Sequence, residues 1–76
     1  MKNKETKLIN YTITFNRNNG SWNYQNILAK NEKQARDVFN IGLKEGINKA
    51  FYVSMSKKER EDEFNKYKII TVTKII

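Results

Sequence analysis

The densest group of side chains that could do acid–base or metal chemistry is Glu59, Glu61, Asp62 and Glu63. On a helix, Glu59, Asp62 and Glu63 would share a face. A hard cation, however, needs oxygen ligands that converge, usually from more than one element. Here the neighbours are Lys57, Lys58, Arg60 and Lys66, at spacings that make ion pairs along one helix. The cluster therefore reads as a solvated, charged helix. Tyr11, Tyr24, Tyr52 and Tyr67 carry hydroxyls, but no pattern of bases accompanies them, and packing is their expected role. The chain has no histidine and no cysteine. It thus lacks the commonest general base, a thiolate nucleophile and any Cys-ligated metal site. Gly42 and Gly46 fall in and at the end of a helical pattern, where they cannot cradle phosphate. The expectation is a chain with no catalytic residues, metal, cofactor or small-molecule substrate.

Binding is the alternative to catalysis. Fifteen Lys and Arg stand against eight Asp and Glu, a formal charge of +7. A basic domain gains affinity for nucleic acid by contacting phosphates and releasing counterions. The charge is spread rather than striped: the N-terminal arm and the strands are positive, and the 57–66 segment is balanced. For a nucleic-acid partner or a nucleoprotein complex, Lys2, Lys4, Lys7, Arg17, Lys68 and Lys74 are the expected phosphate contacts. Thr12, Thr14, Asn23 and Gln25 are the expected polar contacts beside them on an open sheet face, as in β-sheet readers of DNA. The competing expectation is a protein-binding inhibitor or adaptor, for instance one that blocks a host defence nuclease. Its surface would be Trp22, Tyr24, Phe51 and Tyr52 with the acidic residues Glu59, Asp62 and Glu63. The apolar run around Phe51–Met55 and the pair Ile75-Ile76 also point to a homodimer.

These side chains need elements to hold them. Residues 8–16 alternate, with Ile9, Tyr11, Ile13 and Phe15 on one side, which predicts a strand. Asn19-Gly20 predicts a type I′ turn, and residues 21–29 a return strand. With those two loop residues, opposed positions sum to 39. One hairpin face then collects Ile9, Tyr11, Ile13, Phe15, Trp22, Tyr24 and Leu28. The other collects Asn10, Thr12, Thr14, Asn16, Asn23, Gln25 and Ile27. Asn26 is the misfit on the apolar face, and a bulge there would let Ile27 and Ala29 turn inward.

Asn31 with Gln34 predicts the start of a helix over 32–45. Its apolar stripe would be Ala35, Val38, Phe39, Gly42 and Leu43, with Gly42 close to the sheet and Gly46 ending the helix. Residues 47–56 fit either a strand or a helical stripe, and Phe51-Tyr52-Val53 tilts the choice to a strand. Ser56 with Glu59 predicts a capping box and a short charged helix, and residues 67–75 a last strand with Ile70 and Val72 inward.

The predicted fold is α+β: a small antiparallel sheet of three or four strands with an N-terminal β-hairpin and one amphipathic helix on one face. Its order is β-β-α-(β or short α)-β, with the first strand central. Residues 1–76 make one small domain, of which 1–7 form a flexible basic arm. At this length a core barely outweighs chain entropy. No apolar stretch is long enough to span a membrane, and the start lacks a signal-like apolar region, so a cytoplasmic location is expected. Twelve Lys, eleven Asn and nine Ile, all with A/T-rich codons, suggest a low-GC bacterium or one of its phages or mobile elements. The same bias inflates surface lysine, so part of the charge need not serve binding.

Overall fold

The computed structural model describes residues 7–75. It contains β1 (Ile9–Arg17), β2 (Asn23–Ala29), α1 (Glu32–Ala50), α2 (Lys57–Asn65) and β3 (Tyr67–Lys74). The strands form one antiparallel sheet in the order β2-β1-β3. The fold is α+β, with an N-terminal hairpin, a central first strand and the order β-β-α-α-β. The expected arm, including Lys2 and Lys4, lies mostly outside the described residues. Among those residues, no helix is long and apolar enough to cross a membrane.

The hairpin turn sits one residue earlier than predicted. Asn18 and Asn19 hold the positive φ values, 57° and 61°, and the Gly20 amide donates to the Arg17 carbonyl at 3.0 Å. Asparagine tolerates this conformation because its short polar side chain bonds locally. Opposed residues on β1 and β2 sum to 38, one more than the turn alone dictates, because one extra residue lies between Gly20 and Asn23: Ile9 faces Ala29, Tyr11 faces Ile27 and Phe15 faces Asn23. A shift of one residue moves every β2 side chain to the other face.

Burial explains which register wins. Ile27 and Ala29 now enter the core, 6% and 0% exposed. The alternative would have set Asn26 across from Ile13 in that core, with an amide to satisfy and no apolar area gained. Trp22, Tyr24 and Leu28 are left outside, all more than half exposed. No bulge in β2 is needed. The register shift lies instead between β1 and β3, at Thr14/Phe15, where Thr14 faces Thr71 and Phe15 faces Ile69. The skipped Ile70 leaves Ile69 and Val72 to pack against the core.

The helix signals at 31–34 act as expected at the N-terminus. The Asn31 side chain accepts from the Gln34 amide at 2.8 Å, while the Gln34 side chain accepts from the Lys30 amide at 2.7 Å. The C-terminus corrects the prediction. Gly46 does not stop α1, which runs on to Ala50 before residues 51–54 turn, so 47–56 contributes no strand. The reason is Ile47, which continues the series Ala35, Phe39, Leu43 at four-residue spacing and is itself buried. Apolar burial at 47 outweighs the helix-propensity cost of the glycine.

Gly42 is not pressed against the sheet either. A Cβ built on Gly42 or Gly46 would meet no other atom within 4 Å, and neither has a positive φ. Gly42→Ala and Gly46→Ala are therefore expected to stabilise the chain by about 0.5–1 kcal/mol each. Thermal melts of the single and double variants check this, with midpoints rising by about 4–8 °C per kcal/mol.

The core is one layer between the sheet and α1. It comprises Tyr11, Ile13, Ile27, Ala29, Ala35 and Phe39, with Ile9, Phe15, Leu43, Ile69 and Val72 packed around it. The Phe15 and Phe39 rings meet at 4.8 Å between centroids, tilted by 52°. Helix α2 forms as predicted, with the reciprocal capping box of Ser56 and Glu59. It packs on α1 and the start of β3. Among the described residues, no helix lies on the other face of the sheet.

Candidate functional site

The uncovered face is best described as rungs running across the three strands. Strand pairing sets Asn26, Thr12 and Thr73 on one rung and Tyr24, Thr14 and Thr71 on the next. Asn16 and Lys68 continue the series at one end, Leu28 and Asn10 at the other. The Ile75 amide donates to the Asn10 carbonyl at 2.8 Å, extending β3 along β1. Trp22 lies two residues before Tyr24, in the segment between the turn and β2. Thr12 Oγ1 donates to Asn26 Oδ1 at 2.9 Å, which fixes one rung.

The central residues are shaded by their neighbours. Thr14 and Asn16 are buried, and Asn16 Oδ1 has no hydrogen-bond partner. A partner would therefore touch chiefly the flanking side chains: Trp22, Tyr24, Leu28, Lys68, Thr71 and Thr73. Trp22 and Tyr24 are 59% and 67% exposed.

Of the predicted polar contacts, the structure brings Thr12 and Thr14 onto this face. Asn23 and Gln25 go to the opposite side, across from Phe15 and Ile13, because of the register. Tyr24 takes their place on the face, with Trp22 exposed just ahead of the strand. Sequence alternation alone could have shown this, had Asn26 rather than Asn19-Gly20 been allowed to set the register.

The predicted cations are dispersed. Lys68 is on the open face, whereas Lys74 pairs across from Tyr11 on the helix side at the sheet's end, and Lys7 is exposed ahead of β1. Arg17 is engaged. Its Nε and Nη2 donate to both oxygens of Glu63, at 2.7 and 3.0 Å, and Lys66 Nζ lies 3.4 Å from Glu63 Oε1. The Arg17 hydrogen bond, helped by its charge and by Lys66 and opposed by burial, holds the Glu63 carboxyl at about 2. The same hydrogen bond, with the Glu63 charge, raises the pKa of Arg17. This pair ties the end of the central strand to α2, and the 5% exposed Glu63 offers no surface to a protein partner.

The other acidic candidates separate too. Glu59 caps its own helix, and Asp62 lies 3.7 Å from Lys58. Among the described residues, no group of three or more Asp and Glu is arranged to hold a metal ion. Tyr52 sits at the α1–α2 corner, 71% exposed, and Phe51 is half-buried beside it. Arg60 organises that corner. It donates to Asn48 Oδ1 at 3.0 Å and to the Met55 carbonyl at 2.8 Å, and its guanidinium lies 5.3 Å from the Tyr52 ring centroid. A shallow cavity of about 530 Å³ there is lined by Glu45, Asn48, Lys49 and Tyr52. Trp22 and Tyr24 thus belong to the sheet surface, and Phe51 and Tyr52 to a different one.

The fold sharpens the charge distribution expected from the sequence. Every acidic residue between 7 and 75 lies on α1 or α2, and the strands carry none. Lys7, Arg17, Lys30, Lys68 and Lys74 lie on the strands or flank them. No family model, curated protein or solved structure matches this chain.

Proposed function

We propose that the chain is a non-catalytic binding module that contacts nucleic acid through the uncovered face of its sheet. The observation that supports this most is the composition of that face. It presents two exposed aromatic rings, hydrogen-bonding threonines and a lysine, on strands with no carboxylate to repel phosphate. Aromatic faces with nearby cations are what bases and phosphates need. Folding does not require the rings to be there, because the register that buries Ile27 and Ala29 leaves Trp22 and Tyr24 outside the core.

The experiment is a titration of labelled DNA and RNA, single- and double-stranded, at about 50 and 200 mM salt. Binding that weakens steeply with salt, and weakens further in Lys68→Glu, supports the proposal. No binding to any of them at the lower salt sinks it.

A second reading has its own support. Val38, Ile41, Tyr52 and Val53 are exposed apolar residues, the first two one turn apart on α1 and the others just beyond its end. They suit a protein partner of the inhibitor or adaptor kind. Under that reading Tyr52→Ala abolishes capture of the partner and Tyr24→Ala does not; the converse favours the sheet.

A further inference from the structure

We infer that the nucleic acid bound by this face is single-stranded, with bases stacked on Trp22 and Tyr24. The inference rests on the proposal above and narrows it. Charge placement is the first ground. A duplex carries its phosphates on the outside, and a surface that docks on it must bring cations to them or push an element into a groove. The middle of this face has no charge: its rungs are Asn26, Thr12 and Thr73, then Tyr24, Thr14 and Thr71. Lys68 stands at one end of the face, and the cation nearest the hairpin tip, Arg17, is already held by Glu63.

Geometry is the second ground. Two residues of extended chain span about 7 Å. Tyr24 on the face and Trp22 just ahead of β2 thus offer two rings within that reach, each exposed enough to receive one unpaired base. In a duplex those base faces are already stacked on their neighbours and out of reach. The exposed hydroxyls of Thr71 and Thr73 on β3 can bond base edges, and Lys68 can meet the backbone as it leaves the rings.

Trp22 is the only tryptophan, so its emission reports on this site alone. The test titrates the full chain with oligo-dT and with a duplex of equal length at about 50 mM salt. The expected result is quenching of Trp22 emission by oligo-dT and at least about tenfold tighter binding of it than of the duplex. Tyr24→Ala should weaken oligo-dT binding about tenfold, whereas Tyr24→Phe, which keeps the ring, should not. Circular dichroism of both variants guards against loss of fold. Equal or tighter duplex binding overturns the single-strand inference and leaves the broader proposal standing. Oligo-dT binding without quenching, or unaffected by Tyr24→Ala, removes the site from this face. A shift of Trp22 emission with protein concentration alone would mean that a second copy covers the face, and the inference falls. Failure to bind either ligand removes the single-strand inference, and the broader proposal falls with it when single- and double-stranded RNA are not bound either.

Discussion

Phe39→Ala is expected to remove a large fraction of the stability of the fold. Phe39 is 3% exposed and meets Phe15 at the centre of a core with one layer of side chains. Removing a buried Phe costs about 3–5 kcal/mol through lost burial and the cavity left behind. A chain of this length has roughly 4–11 kcal/mol in total. Among the described residues, no further layer lies behind α1 to collapse into the gap. Urea denaturation followed by far-UV circular dichroism measures the loss. Phe39→Leu should retain a cooperative transition, and an unchanged midpoint in Phe39→Ala would mean that α1 does not anchor the sheet at this point.

The second large effect concerns acid. Glu63 is held at about 2 in the folded chain, against an ordinary carboxyl value of 4.5. A group whose pKa is depressed by folding contributes stability above its unfolded value and loses it as pH falls through the folded one. The Arg17–Glu63–Lys66 cluster should therefore support the fold fully at pH 7 and progressively less from about pH 4.5 to 2. Glu63→Gln should lower the melting midpoint at pH 7 and flatten its fall across that window. Melts of both proteins at several pH values test this. Parallel curves would show that the pair contributes nothing to the acid response.

Short-range signals in the sequence were legible, and balances between competing positions were not. Ser56 with Glu59 specifies a cap through atoms three residues apart, and the structure contains it. Asn31 likewise starts α1. The order of the strands followed from alternation in 8–16 and 67–75. The hairpin register failed because Asn19-Gly20 is a strong local turn signal, while the cost of burying Asn26 becomes visible only when the facing strand is in place. Gly46 failed as a stop for a similar reason. Its own preference is local, and the gain from burying Ile47 depends on α1 having something to lie against. Both errors bear on the candidate site. The first exchanged Asn23 and Gln25 for Tyr24 on the open face, with Trp22 just ahead of it, and the second put Tyr52 at a helix corner rather than in a sheet. The part-buried pairing of Arg17 with Glu63 joins residues 46 apart in the chain, and no spacing rule reaches that far.

The two partners of β1 lie at very different distances along the chain. β2 returns after a short turn, but β3 arrives only after both helices, with Arg17 meeting Tyr67. Hairpins close in microseconds, whereas pairing that spans most of a chain must first pay the entropy of a long loop. Refolding should therefore pass through a stage in which the hairpin exists and the far edge of β1 is bare. That edge, Ile9–Arg17, is a row of unpaired amides and carbonyls beside apolar side chains, the kind of template on which chains aggregate. Protein concentration during refolding thus matters more for yield than the small size of the chain suggests, since the strand at the centre of the finished sheet is the one left open while the sheet is forming.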